Sequence, residues 1–142
     1  MKRLTLIIAA VVFSLACTAE DRPITPEQLP AVAKSFIENH FPSEKILFAK
    51  KDDDFVRPDF TVILSNGVEL QFGHDGSFEK IESKAGVPEG IVPVQISDYV
   101  KAHSPNSVIV EYEITKRYYE VKLSNGFELV FNGKYNLVEL DD

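Results

Sequence analysis

Apolar and polar side chains alternate along most of this chain in short runs separated by Asn-Gly, Asp-Gly and related pairs. Alternation over a handful of residues marks a half-buried strand. Four such runs lie near 45–51, 60–65, 68–73 and 77–82, and four more near 108–114, 118–123, 127–132 and 135–140. A different period precedes each set. Leu29, Val32, Ala33, Phe36, Ile37, His40 and Phe41 recur at helical spacing, as do Ile96, Tyr99 and Val100. Thr25 as N-cap, Pro26 in first position and Gln28 closing a capping box predict the start of the first helix, and Pro42 its stop. Val92-Pro93 and Pro105 bracket the second.

The pattern repeats. Leu64-Ser65-Asn66-Gly67-Val68-Glu69-Leu70-Gln71-Phe72 returns as Leu123-Ser124-Asn125-Gly126-Phe127-Glu128-Leu129-Val130-Phe131, 59 residues later. Over the helices the offset is 63, pairing Pro30 with Pro93, Phe36 with Tyr99, Ile37 with Val100, His40 with His103 and Pro42 with Pro105. Over the last strand the best match is at 57, which places four extra residues of the first copy around 52–58 and two more in the 73–76 turn. The expectation is a tandem duplication of a helix plus a four-stranded antiparallel unit, residues 20–86 and 87–142. The result is an α+β fold of about eight strands in one sheet, with two helices packed on one face. Type I′ hairpins are expected at Asn66-Gly67 and Asn125-Gly126, and turns at Asp75-Gly76 and Asn132-Gly133.

Alternation also assigns the faces. Phe60, Val62, Leu64, Val68, Leu70 and Phe72 match Tyr119, Val121, Leu123, Phe127, Leu129 and Phe131, all apolar or aromatic, so this face meets the helices. The other face carries Thr61, Ile63, Glu69 and Gln71 in one copy and Tyr118, Glu120, Lys122, Glu128 and Val130 in the other. An antiparallel sheet can leave such a face to water.

The start of the chain follows neither period. Lys2 and Arg3 precede an apolar run from Leu4 to Ala16, shorter than the ~20 residues a membrane span needs. It reads as a cleaved export signal over residues 1–19. Cleavage after Ala19 and lipid attachment at Cys17, within Ser14-Leu15-Ala16-Cys17, both stand as readings. The expected location is the periplasm of a Gram-negative bacterium, the outer membrane through a lipid anchor, or the medium. Cys17 is the single cysteine, so no internal disulfide forms. The chain holds 15 basic and 22 acidic residues, a net charge of −7, and loss of Lys2 and Arg3 makes it −9. That balance argues against nucleic acid or an anionic bilayer as partner, since both demand a basic surface.

Catalytic patterns are weak. No Gly-x-Ser-x-Gly, phosphate-cradling glycine loop or zinc spacing occurs, so no catalytic residue, metal or cofactor is assigned. His40 and His103 fall at equivalent helix ends, where an imidazole suits the C-terminal dipole. Asp52, Asp53 and Asp54 are consecutive rather than spaced as in a calcium loop, which favours a solvated tip over a cation site. The candidate binding face is Glu69, Gln71, Tyr118, Glu120, Lys122 and Glu128, with Tyr112 if it points outward. Rigid aromatic area with polar neighbours suits a protein contact. The acidic loop and His74 are second candidates, because connections that differ between copies are where binding loops arise.

The export signal, the Asp21-Arg22-Pro23-Ile24-Thr25 opening, the helix starts at Leu29-Pro30 and Val92-Pro93, and the hairpin from Tyr118 to Phe131 together resemble the PepSY-like family of exported bacterial proteins. Its fold is similar to the β-lactamase-inhibitor protein. The resemblance implies two αβ₄ units with an open sheet face available to a protein or peptide, and an enzyme-inhibiting role by fold analogy. The expected function is therefore a non-enzymatic envelope protein that binds an unknown protein or peptide. The alternative is a small-ligand or cation-binding module using Asp52–Asp54.

Overall fold

The computed structural model describes residues 21–53 and 58–142. They form one antiparallel sheet of nine strands whose spatial order is the chain order. The strands are β1 (Asp21–Pro23), β2 (Ile46–Asp53), β3 (Pro58–Leu64), β4 (Glu69–Phe72), β5 (Phe78–Glu82), β6 (Ile109–Ile114), β7 (Tyr118–Leu123), β8 (Glu128–Asn132) and β9 (Leu137–Asp141). Helix α1 (Ala31–His40) precedes β2, and α2 (Val94–His103) precedes β6. The export segment with Cys17, and Asp54 of the acidic loop, lie outside the described residues.

Prolines decide where the helices begin. Thr25 N–H donates to Gln28 Oε1 at 2.9 Å, as a capping box requires, yet the turn it opens is a single 3₁₀ turn, Pro26–Gln28. Leu29 is then extended, at φ −67° and ψ 144°, because the residue before a proline is driven out of the helical region. Helix α1 restarts after Pro30, as α2 starts after Pro93. The two-part entry replaces the continuous helix expected from Pro26.

Both helices cover the same face of the sheet. Ala33 and Ile37 of α1, and Ile96 and Val100 of α2, are buried against Val62, Leu64, Leu70, Phe72, Val121, Leu123, Leu129 and Phe131. Phe36 packs edge-on against Phe72, and Tyr99 does the same against Phe131. A line of rings crosses the seam between the two halves: Phe36 on Phe78 (4.7 Å), Phe78 on Tyr112 (5.9 Å), Tyr112 on Tyr119 (6.4 Å) and Tyr119 on Tyr135 (5.1 Å). Below it β5 pairs with β6, Ile81 opposite Tyr112, so the sheet is continuous. Burial pushes the Tyr112 phenol far above its ordinary range.

Strand β1 was not foreseen and makes the count nine rather than eight. Three residues, Asp-Arg-Pro, hold no periodic signal; they pair because Asp21, Arg22 and Pro23 fall opposite Asp52, Lys51 and Lys50. The offsets are also corrected. Strands β5 and β9, like β4 and β8, stand 59 residues apart, with bulges at equivalent points, Gln71/Phe72 and Val130/Phe131. The 73–76 turn therefore contains no insertion. The longer β2–β3 connection does hold four extra residues: Ile46 pairs Leu64, while Ile109 pairs Leu123.

The hairpins differ from type I′ turns. Gly67 donates its N–H to Leu64 O and alone takes a left-handed φ (+85°), while Asn66 accepts from Val68 N–H through its side chain. Gly126 and Asn125 repeat this. It is a tight turn closed by a left-handed glycine, with the asparagine used for its side-chain oxygen. In the next turn Gly76 (φ +85°) sits where an added Cβ would meet Pro30 Cβ at 2.6 Å. Its counterpart is Tyr135 (φ +62°), not Gly133, and Tyr135 adds its ring to the core line.

Candidate binding face

The sheet register places the open face in rows. One runs Pro23, Lys50, Thr61, Gln71, Lys80, Glu113, Glu120, Val130, Glu139. The next runs Phe48, Ile63, Glu69, Glu82, Glu111, Lys122, Glu128, Asp141. Glu69, Gln71, Glu120, Lys122 and Glu128 thus share one face, and Tyr118, 41% exposed, lies at its margin two residues before Glu120. Tyr112 is a correction. It is 1% exposed and points to the helices, since the register that turns Glu111 and Glu113 outward turns Tyr112 in.

Seven charged residues of the face were missed from sequence: Lys50, Lys80, Glu82, Glu111, Glu113, Glu139 and Asp141. The signal for the last four was present as period-two acids in Val110-Glu111-Tyr112-Glu113 and Val138-Glu139-Leu140-Asp141. Around the seam the charges are paired: Lys80 Nζ lies 2.9 Å from Glu82 and 4.0 Å from Glu111. The hydrogen bond to Glu82 raises the Lys80 pKa above its ordinary value. Beyond the seam pairing stops. Glu113 stands directly opposite Glu120, and among the described residues Glu113, Glu120, Glu128, Glu139 and Asp141 make no ion pair within 4.0 Å. These carboxylates, with Glu111 and Lys122, line a shallow cavity of about 360 Å³. Like charges directly across a strand pair oppose folding.

The loop candidates lie elsewhere. Asp52 and Asp53 end β2, and Asp52 faces Asp21 on one side and Asp59 on the other. Lys50 bonds Asp21 and lies 3.7 Å from Asp52. A hydrogen bond from Asp52 holds the Asp21 carboxyl below its usual value, and the same bond, with burial, raises that of Asp52. Asp52 Oδ1 and Asp59 Oδ1 are buried without a hydrogen-bond partner. Among the described residues no group of three or more His, Cys, Asp or Glu side chains is placed to hold a metal ion. His74 is exposed in the β4–β5 turn, where Asp75 accepts from Ser77 N–H and Oγ–H. His103 donates from Nδ1 to Tyr99 O at 2.9 Å, closing the end of α2.

One antiparallel sheet, helices on one side and a bare face on the other, defines a two-layer α+β protein. A family model described as "Putative beta-lactamase-inhibitor-like, PepSY-like" matches residues 58–139, and the chain belongs to this family. It is similar to a putative periplasmic protein of the DUF2874 family from Bacteroides vulgatus (37% identity, 87% of this chain and 98% of that one, TM-score 0.82). It is also similar to a putative calcium-regulated periplasmic protein from Bacteroides thetaiotaomicron (38% identity, 86% and 97%, TM-score 0.83). A third similar structure is a putative periplasmic protein of unknown function from Bacteroides vulgatus (31%, 87% and 100%, TM-score 0.82). None of these descriptions names an enzymatic activity. A search of curated proteins finds no match. Among the described residues no helix is long and apolar enough to cross a membrane.

Proposed function

We propose that this chain is a non-enzymatic periplasmic binding protein that holds a protein or peptide on the open face of its sheet. The supporting observation is the carboxylate field formed by Glu113, Glu120, Glu128, Glu139 and Asp141, which make no ion pair within 4.0 Å among the described residues, on a surface that neither α1 nor α2 covers. Opposed like charges cost stability in the isolated protein and are relieved by a partner of opposite sign. Tyr118 supplies an aromatic anchor beside them. Enzyme inhibition is one form this binding takes if the partner is an enzyme. The matching element order of the two halves supports an origin by duplication, with the open face specialised in the second copy.

Capture from periplasmic extract tests this reading. The immobilised chain retains a partner that Tyr118→Ala/Glu120→Lys releases, while Lys101→Ala on α2 retains it. Equal retention by all three overturns the assignment of the face.

A second reading is cation binding beside the acidic loop. It draws support from the buried oxygens of Asp52 and Asp59 that accept no hydrogen bond, the former 3.7 Å from Lys50, and from the description of one similar protein as calcium-regulated. Titration calorimetry with calcium tests it: heat lost in Asp52→Asn supports the site, and absence of heat removes it.

A further inference from the structure

We infer that the outer edge of β9 docks an extended segment of a partner protein in which basic and apolar residues alternate, adding a tenth strand to the sheet. This rests on the open-face reading and specifies how that face is engaged.

The two sheet edges are built differently. Strand β1 is three residues long, ends at Pro23, and has Asp21 tied to Lys50. A short strand, a proline and a fixed charge are devices that keep an edge from pairing. Strand β9 has five residues, no proline, and, among the described residues, no strand on its outer side. Val138 is 52% and Leu140 57% exposed, large apolar side chains left at an open edge. Such an edge offers main-chain hydrogen bonds to an incoming strand, whose alternate side chains then fall on opposite faces.

The register states what those side chains meet. Glu139 and Asp141 continue the open-face rows through Val130 and Glu128, whereas Leu140 is opposite Leu129 on the helix side. Residues of an added strand opposite Glu139 and Asp141 would lie against unpaired carboxylates, with Glu128 one strand further in. Lysine or arginine fits both positions. The residue between them would lie beside Leu140, at the rim of an apolar cavity of about 280 Å³ lined also by Tyr99, His103 and Phe127. An apolar side chain fits there. A second copy of this chain paired antiparallel about Glu139 would set that carboxylate against itself, so this register favours a basic partner over self-association.

The test uses the whole chain and three fluorescein-labelled peptides. One alternates lysine and valine, one has the same composition in two blocks, and one alternates but carries N-methyl groups that remove strand-pairing donors. Anisotropy is expected to show binding of the alternating peptide, with the other two at least about tenfold weaker. Leu140→Lys and Glu139→Lys each weaken it by a similar factor. Both positions are exposed, so melting temperature serves as the folding control. Equal binding of the N-methylated peptide, indifference to Leu140→Lys, or no binding at ~1 mM overturns the edge proposal. If Glu120→Lys alone abolishes binding of all three peptides, the open face stands as a cationic-partner surface and the edge does not.

Discussion

The two halves of the sheet agree on one face and disagree on the other. On the helix side Val62, Leu64, Leu70 and Phe72 have Val121, Leu123, Leu129 and Phe131 as counterparts, all buried. On the open side Thr61 is 6% exposed, while its counterpart Glu120 is exposed. Gln71 has Val130, Lys80 has Glu139, and Glu82 has Asp141. The first half is near balance, with Lys50 and Lys80 bonded to acids; the second sets six carboxylates around Lys122. Packing holds the inner face to one solution, since interiors tolerate little change of volume. The open face is free of that constraint, and its second half carries the greater excess of acidic charge.

Breaking the agreement has the largest effect. Phe72→Ala and Phe131→Ala are each expected to cost about 3–5 kcal/mol in urea unfolding, because each removes a fully buried ring. A large difference between them would show that the two inner faces are not equivalent. Next is the turn where the halves part. Gly76→Ala should cost more than about 1 kcal/mol, since it adds a Cβ at a left-handed φ against Pro30. Tyr135→Gly relieves the same backbone strain but loses the Tyr119 contact, so its melting temperature should move less than that of Gly76→Ala.

Charge effects are smaller and opposite in sign. Glu120→Lys, facing Glu113, should stabilise by about 0.5–1 kcal/mol at low salt, and less as salt screens the pair. The smallest effect is pH-dependent. The folded-state pKa of Asp52 is raised, so its ionisation weakens the fold as pH climbs through the unfolded value of 3.8 toward the folded one. Asp52→Asn should therefore raise the melting temperature at pH 7 and leave it nearly unchanged at pH 3. An equal rise at both values would remove the electrostatic explanation.

Most of this fold is legible in the residues. Period-two runs bounded by Asn-Gly pairs mark the strands, and the paired prolines mark where α1 and α2 begin. What escaped lacked a local signal. Strand β1 is held by pairing to β2, and the 3₁₀ turn arises because Pro30 interrupts a good capping box. The turn at Tyr135 hid its equivalence to Gly76, since tyrosine is not read as a left-handed residue. The site was half legible. Glu69, Gln71, Glu120, Lys122 and Glu128 follow from hairpin alternation. Glu111 and Glu113 join them through β6–β7 and Glu139 and Asp141 through β8–β9, whereas Lys80 and Glu82 join only once β5 is known to pair with β6, which no single run reveals. Tyr112 shows the same lesson reversed, because the outward acids on either side already required it to face in.

The central claim is that the second half of the open face is where a partner binds. Charge reversal tests it most directly: capture from periplasmic extract by the wild-type chain against Glu120→Lys, which faces Glu113, with melting temperature measured in parallel. Loss of the captured partner with an equal or higher melting temperature is the predicted result. Undiminished capture by the charge-reversed chain would contradict it.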